Sequence, residues 1–363
     1  MNPRIVFTGG GSAGHVTPNL ALIEAMQKEG WQIDYIGSGD GVEKDMIAPL
    51  QIPYHSVSTG KLRRYFSWQN FLDPFKTFWG IIQAYRLLRK LKTEVVFSKG
   101  GFVAFPIVVA AWLNRIPVIA HESDMSPGLA NRLSFPFVDK ICVTFAAAKK
   151  HFKDQSKVEI TGTPIRQELF KGSKSAGLDL CGFNKDKPCL LVMGGSQGSL
   201  RLNKALRAAL PELCEQYQVI HLCGKGKVDP AFHNRNDYCQ FEYVNKELAD
   251  LFAASDVVVS RAGANALYEI LALQKPHVLV PLSVNASRGD QIQNASYFKQ
   301  QGISLVIDDE SLTTDNFLEA MKEVSLHKEE IIKKIKGLDI ESATLKIIAL
   351  IKEQMHVESP KAV

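Results

Sequence analysis

The sequence predicts an α/β protein made of two doubly wound, parallel-sheet domains, and three observations predict it. Ile5-Val6-Phe7-Thr8 runs into Gly10-Gly11-Ser12-Ala13-Gly14-His15, and about half the chain later Leu190-Leu191-Val192-Met193 runs into Gly194-Gly195-Ser196-Gln197-Gly198. Short runs rich in Val and Ile alternate with helix-like stretches along the whole length, the pattern of strands buried on both faces. A chain of 363 residues is long enough for two domains.

Taken in order, Ile5–Thr8 leads to a helix near Pro18–Glu29, Ile33–Ile36 ends in Gly37, and Glu94–Ser98 ends in Lys99-Gly100-Gly101. Val118–Ala120 ends in His121-Glu122. The second half repeats the habit at Leu190–Met193, Val219–Leu222, Val257–Ser260 and His277–Val280. Gly162-Thr163-Pro164-Ile165-Arg166 reads as a hinge between the halves. The expected division is 1–163 and 164–342, with a helix at 343–363 packing back on the first domain. The two domains are expected to face each other across a cleft.

The six cysteines form no CxxC pair and no zinc spacing, which fits a reducing compartment. The N-terminus has no apolar signal region, and the longest apolar run, Phe102 to Leu113, is broken by Pro106 and too short to span a bilayer. The net charge of +5 is concentrated. Residues 61–92 hold eight Lys and Arg against the single acid Asp73, together with eight aromatic residues. Such a segment can lie on an anionic membrane surface, with rings in the interface and cations at the headgroups. Asp73-Pro74 reads as N-cap and first residue of a helix that presents Phe75, Phe78, Trp79 and Ile82. Arg63, Arg64, Phe75 and Trp79 are the expected membrane contacts, while Ile81, Tyr85 and Leu88 are expected in the core. Nucleic acid is not expected as a partner, because the cations are confined to one segment without a nucleic-acid motif.

The first loop fits GxGxxG at Gly9, Gly11 and Gly14, a weak match alone. No acid closes the second strand as a nicotinamide reading requires, and neither loop carries the P-loop lysine pattern. His15, at a strand tip where a helix begins, is placed to act as a base near neutral pH. The second loop would offer N–H groups and the Ser196 hydroxyl to a diphosphate. The stretch Arg261-Ala262-Gly263-Ala264-Asn265-Ala266-Leu267-Tyr268-Glu269 follows a strand and opens a helix. Its small residues admit a nucleotide diphosphate to the helix N-terminus, and Glu269 can accept from a ribose diol. Asp290 and Gln291, heading another helix, suit sugar hydroxyls.

These motifs, with Ser98-Lys99-Gly100-Gly101-Phe102, His121-Glu122-Ser123-Asp124 and Gly162–Arg166, resemble the two-Rossmann-domain (GT-B type) glycosyltransferases, and among them the MurG family, over nearly the whole chain. The resemblance implies that the C-terminal half binds UDP-GlcNAc through Arg166, Ser196, Asn245, Ala264, Asn265, Ala266, Leu267, Tyr268, Glu269, Asp290 and Gln291. It implies that Ser12, Ala13 and Gly14 face the diphosphate and that Asp124 contacts the donor. The implied reaction is an inverting transfer of GlcNAc to the C4 hydroxyl of lipid I, undecaprenyl-diphosphate-linked MurNAc-pentapeptide, giving lipid II for peptidoglycan synthesis. His15 is the first candidate for base and Glu122 the second. No DxD motif is present; Asp308-Asp309-Glu310 reads as a solvated turn, and neither a cofactor nor a bound metal is expected. The implied partners are UDP-GlcNAc, lipid I, an anionic membrane surface and other cell-wall synthesis proteins, at the cytoplasmic face of the cell membrane. A diacylglycerol glycosyltransferase, a UDP-GlcNAc 2-epimerase and a non-catalytic UDP-sugar sensor are the alternatives, separated by acceptor dependence, by conversion without lipid and by binding without turnover.

Overall fold

The computed structural model describes residues 2–60, 69–195, 197–233, 235–285, 287–338, 340 and 343–357. The side chains of residues 69–72, 356 and 357 lie outside that description, as do Arg63, Arg64 and Ser196 entirely. The chain divides into two compact units, Met1–Pro164 with Glu341–Val363, and Ile165–Ile340.

The first unit carries a seven-stranded sheet: β1 (Arg4–Thr8), β2 (Gln32–Gly37), β3 (Tyr54–Ser56), β4 (Val95–Ser98), β5 (Val118–Glu122), β6 (Lys140–Val143) and β7 (Val158–Ile160). Its order is β3-β2-β1-β4-β5-β6-β7. The second carries β8 (Cys189–Met193), β9 (Gln218–Leu222), β10 (Tyr238–Phe241), β11 (Val257–Ser260), β12 (His277–Leu279) and β13 (Leu305–Val306), ordered β10-β9-β8-β11-β12-β13. Every recorded strand pair is parallel. In each sheet the order reverses beside the first strand, between β1 and β4 and between β8 and β11. Ligands of open α/β sheets bind outside the carboxyl ends of strands at such a point.

The helices of the first unit are α1 (Thr17–Lys28), α2 (Val42–Ile47), α3 (Gln69–Leu91), α4 (Phe105–Leu113) and α5 (Leu129–Ser134). Those of the second are α6 (Lys174–Cys181), α7 (Leu200–Gln216), α8 (Leu248–Ala254), α9 (Ala264–Ala272), α10 (Asp290–Gln300), α11 (Thr314–Leu326) and α12 (Lys328–Lys336). The last helix, α13 (Ala343–Val357), returns to the first unit. Its Ile347, Ile348 and Ile351 enter the core formed by Ile5, Phe7, Leu22, Met26 and Phe97. Helix starts follow local chemistry. Ser173 and Ser199 cap α6 and α7 through the Ala176 and Leu202 N–H groups, and Thr313 with Asn316 forms a capping box on α11.

One helix boundary differs from the sequence reading. α3 begins at Gln69 and holds Pro74 inside it. Pro74 lacks the N–H that would bond to the Asn70 carbonyl, so the extra turn gives up a single bond near a helix end, where the penalty is smallest. Tyr85 and Ile81 are half-buried and Leu88 fully buried, whereas Phe75, Phe78 and Trp79 are 73%, 63% and 51% exposed.

Three histidines are buried and held neutral. Burial pushes His121 down to about 3, with Lys99 nearby adding to it; it pushes His221 down to about 3 and His277 to about 4. His221 meets Tyr238 Oη at 2.7 Å and Asn203 Oδ1 at 2.9 Å. The unfolded chain therefore binds more protons than the native one below an ordinary histidine value of about 6.5. Stability is expected to be full above that value and to fall as pH drops from about 6.5 toward 4. Urea midpoints measured across that range would check it, and a midpoint flat from pH 7 to 4.5 would refute it.

Candidate active site

At the switch point of the first sheet, the loop after β1 carries Ser12 and Gly14 exposed and Ala13 and His15 half-buried. The His15 N–H donates to the Ser12 carbonyl at 3.1 Å, a tight turn that lifts the imidazole beside the start of α1. The turn after β4 lies against it. Gly101 has φ +81°, and a Cβ there would strike the Gly10 carbonyl oxygen and come within 3.0 Å of His15 Cδ2. The Gly101 N–H donates to Asn131 Oδ1 at 3.1 Å, and Asn131 Nδ2 donates to Glu122 Oε2 at 2.8 Å. Glu122 Oε1 accepts from the Asp124 N–H at 3.0 Å. Glu122 is thus buried with both oxygens engaged, and it orders the turn behind His15; Asp124 beside it is half-buried. Beneath them Lys99 is fully buried and donates to Ser123 Oγ at 3.0 Å. Burial lowers its pKa, and the Glu122 and Asp124 carboxylates oppose that.

At the switch point of the second sheet, the Gly194–Gly198 loop turns on a bond from the Gly198 N–H to the Gly195 carbonyl at 2.9 Å, and Lys227 Nζ donates to the Gln197 carbonyl. Across from it α9 begins at Ala264 with Gly263 as N-cap, so the N–H groups of Ala264, Asn265 and Ala266 lie in its first turn. Leu267 is fully buried, and the Tyr268 ring packs on Phe298 at 5.8 Å, so those two side chains serve the core. Arg166 Nε and Nη2 donate to Glu269 Oε1 at 3.0 and 2.9 Å. Both bonds fall on one oxygen and leave Oε2 without a hydrogen bond among the described residues. Burial raises the Glu269 pKa, and the Arg166 charge pulls it back. Gln291 Oε1 accepts from the Leu282 N–H at 3.1 Å, Asn294 Nδ2 donates to the Ala262 carbonyl at 3.1 Å, and Asp290 Oδ1 is buried with no hydrogen bond among the described residues. Asn245 is exposed in the segment after β10.

The sequence reading of Asp308-Asp309-Glu310 as a solvated turn fails at its middle residue. Asp309 is buried and pairs with Arg261 at 2.7 Å, and Arg201 Nη1 donates to its carbonyl at 2.7 Å. Arg261 also donates to the Val280 carbonyl at 2.9 Å and to Ser199 Oγ, the cap of α7. One guanidinium therefore ties the end of β12 to the start of the helix that follows the second glycine loop. Acidic residues after a short edge strand carry no sign of burial in the sequence. Glu43 and Asn131 were equally invisible, since each acts through contacts distant in the chain. Among the described residues no group of three His, Cys, Asp or Glu is placed to hold a metal ion.

Two parallel α/β units, each with a glycine loop at its switch point and one with a carboxylate–arginine pair beside a small-residue helix start, define a two-domain glycosyltransferase of the GT-B type. The chain belongs to glycosyltransferase family 28: the model of that family's N-terminal domain matches residues 5–143, and that of its C-terminal domain matches residues 189–351. It is 66% identical, over the full length of both chains, to a UDP-N-acetylglucosamine--N-acetylmuramyl-(pentapeptide) pyrophosphoryl-undecaprenol N-acetylglucosamine transferase of Legionella pneumophila (strain Lens). It is 53% identical to the protein of the same name from Lachnoclostridium phytofermentans, covering 96% of this chain and 98% of that one. The crystal structure of Acinetobacter baumannii MurG superposes with a TM-score of 0.74 at 24% identity, covering 97% and 99% of the two chains, which shows the fold.

Proposed function

We propose that the protein transfers GlcNAc from UDP-GlcNAc to the C4 hydroxyl of lipid I, forming lipid II with inversion at the anomeric carbon. The observation that carries this reading is the 66% identity, end to end, to a transferase of that name. The bond from the anomeric carbon to the UDP oxygen breaks as the acceptor oxygen attacks from the opposite face. His15 takes the hydroxyl proton, and Glu122 through Asn131 orders the turn that backs it. The second unit holds the donor. Glu269 Oε2 accepts from the ribose, Asp290 and Gln291 take the sugar, and Arg166, the α9 N-terminus and the Gly194–Gly198 loop stabilise the departing diphosphate. These groups do that work without a cofactor or metal ion.

UDP release from UDP-GlcNAc, measured with and without a short-chain lipid I analogue and with product mass recorded, tests this. Acceptor-dependent release with a product heavier by one GlcNAc supports it. UDP-ManNAc formed without acceptor would point to an epimerase, and binding without turnover to a sensor. Glu269→Ala is expected to raise the KM for UDP-GlcNAc by about tenfold or more, the worth of a hydrogen bond to a charged group. An unaltered KM would remove Glu269 from the ribose.

We also place the protein peripherally on the cytoplasmic face of the cell membrane. Phe75, Phe78 and Trp79 share one exposed face of α3, Lys76 beside them is exposed, and Trp112 and Leu113 are exposed at the end of α4, which packs on α3. No helix among the described residues is long and apolar enough to cross a membrane. Phe75→Ser with Trp79→Ser is expected to lower partitioning onto anionic liposomes by about tenfold or more, at roughly 1.5–3 kcal/mol for each large apolar side chain buried. Turnover of a soluble acceptor should survive. Unchanged partitioning would sink the idea.

A further inference from the structure

The first glycine loop is gripped from inside the protein. Glu43, on α2, is fully buried. Its Oε2 accepts from the Gly11 N–H at 3.2 Å, and its Oε1 accepts from the Ser38 N–H at 3.0 Å and from Ser38 Oγ. Tyr54 Oη donates to the Ser38 carbonyl at 2.6 Å, so the far side of this grip is itself held. The glycines around it make room for the carboxylate. A Cβ on Gly10 would lie 2.5 Å from Glu43 Cδ and 2.7 Å from each carboxylate oxygen, one on Gly37 would lie 3.1 Å from Cγ, and one on Gly41 would collide with the carboxylate. Gly10 does not have the left-handed φ that calls for glycine; what excludes a side chain there is Glu43. One of the two N–H groups of the Gly10-Gly11 turn is thus already spent on a protein carboxylate. The other, on Gly10, points to the Gly100 carbonyl at 3.4 Å.

We propose that Glu43 is a positioning residue of the reaction: its buried carboxylate fixes the Gly10-Gly11 turn and thereby the place where His15 meets the acceptor hydroxyl. The proposal rests on His15 being the base. It also means that the first loop is set by the fold before substrate arrives, since both N–H groups of the turn are engaged within the protein.

Glu43→Gln tests it. The amide is the same size, yet it can keep an acceptor oxygen only for Ser38, and it sets an NH2 group against the Gly11 N–H. The expected result is a kcat lowered about tenfold or more, with the KM and calorimetric Kd for UDP-GlcNAc changed far less, because Arg166 and the donor groups on α9 and α10 lie in the other unit. A merely structural residue would lower active fraction without this split. A kcat within twofold of the unaltered protein overturns the proposal, as does a fall in kcat matched by the unfolded fraction. If Glu43→Gln does not fold, Gly10→Ala carries the test, since it keeps the carboxylate and pushes the turn off it; it should give the same split. His15→Ala is measured alongside. If His15→Ala retains most of its kcat, the reading of His15 falls and the proposal with it. If His15→Ala is inactive while Glu43→Gln and Gly10→Ala are unimpaired, the proposal alone falls.

Discussion

Replacing His15 by alanine is expected to cut kcat by about two to four orders of magnitude, the usual worth of a positioned general base. UDP-GlcNAc should still bind within about twofold. The expectation combines two features of the structure. The imidazole stands at the carboxyl end of β1, at the sheet's switch point, with the Gly101 turn behind it and the Glu122–Asn131 pair fixing that turn. Most of the groups assigned to the donor lie in the other unit, on α9, on α10 and at Arg166. A hydroxyl at a sugar carbon is a poor nucleophile until its proton leaves, so losing the base should appear in the chemical step and not in donor affinity. Steady-state UDP release and calorimetry with UDP-GlcNAc read the two quantities separately. A fall in kcat of less than tenfold would move the base elsewhere. Glu122 is poorly placed to inherit the role while both of its oxygens accept hydrogen bonds.

The largest loss of stability is expected from Arg261→Met. This change leaves Asp309 buried, its nearest remaining cation being Arg201 at 3.7 Å, and it strips donors from the Val280 carbonyl and Ser199 Oγ. Removing one partner of a buried ion pair costs about 3–5 kcal/mol, because the other charge stays desolvated. Arg201 offsets a part, so about 3 kcal/mol is expected, against a total of roughly 5–15 kcal/mol for a domain. The unfolding temperature of the unit should fall on the order of 10 °C. The double variant Arg261→Met with Asp309→Leu should recover a substantial part, since it removes the stranded carboxylate. A single variant that melts within 2 °C of the unaltered protein, or a double variant no better than the single, would show that the pair is not what holds the α7 cap and the end of β12 together.

The longer buried strands were legible because a parallel sheet covered on both faces demands unbroken apolar runs. Ile5–Thr8, Val95–Ser98, Leu190–Met193 and Val257–Ser260 all lie in strands. The five strands that escaped, β3, β6, β7, β10 and β13, are short or of mixed polarity: β13 is only Leu305-Val306, and Val158-Glu159-Ile160 carries no pattern longer than three residues. Residues next to glycine loops were legible for the same reason the loops were, as bare backbone at a strand tip is rare. The supports were not. Glu43 reaches Gly11 across 32 positions, and Arg261 reaches Asp309 across 48, so no local window contains both ends of either contact. Pro74 shows the opposite error: its preference for a first turn is real, yet α3 begins at Gln69 and runs through it.

The return of α13 to the first unit has a consequence for synthesis. The ribosome releases β1 to β7 first, but the core they enclose stays open at the seat of Ile347, Ile348 and Ile351 until residues 343–357 have been made. Residues 165–340, lying wholly between, need nothing from either side to complete their own sheet. The unit begun first is therefore finished last, and its exposed apolar seat is the surface for a chaperone to guard while the middle of the chain is translated.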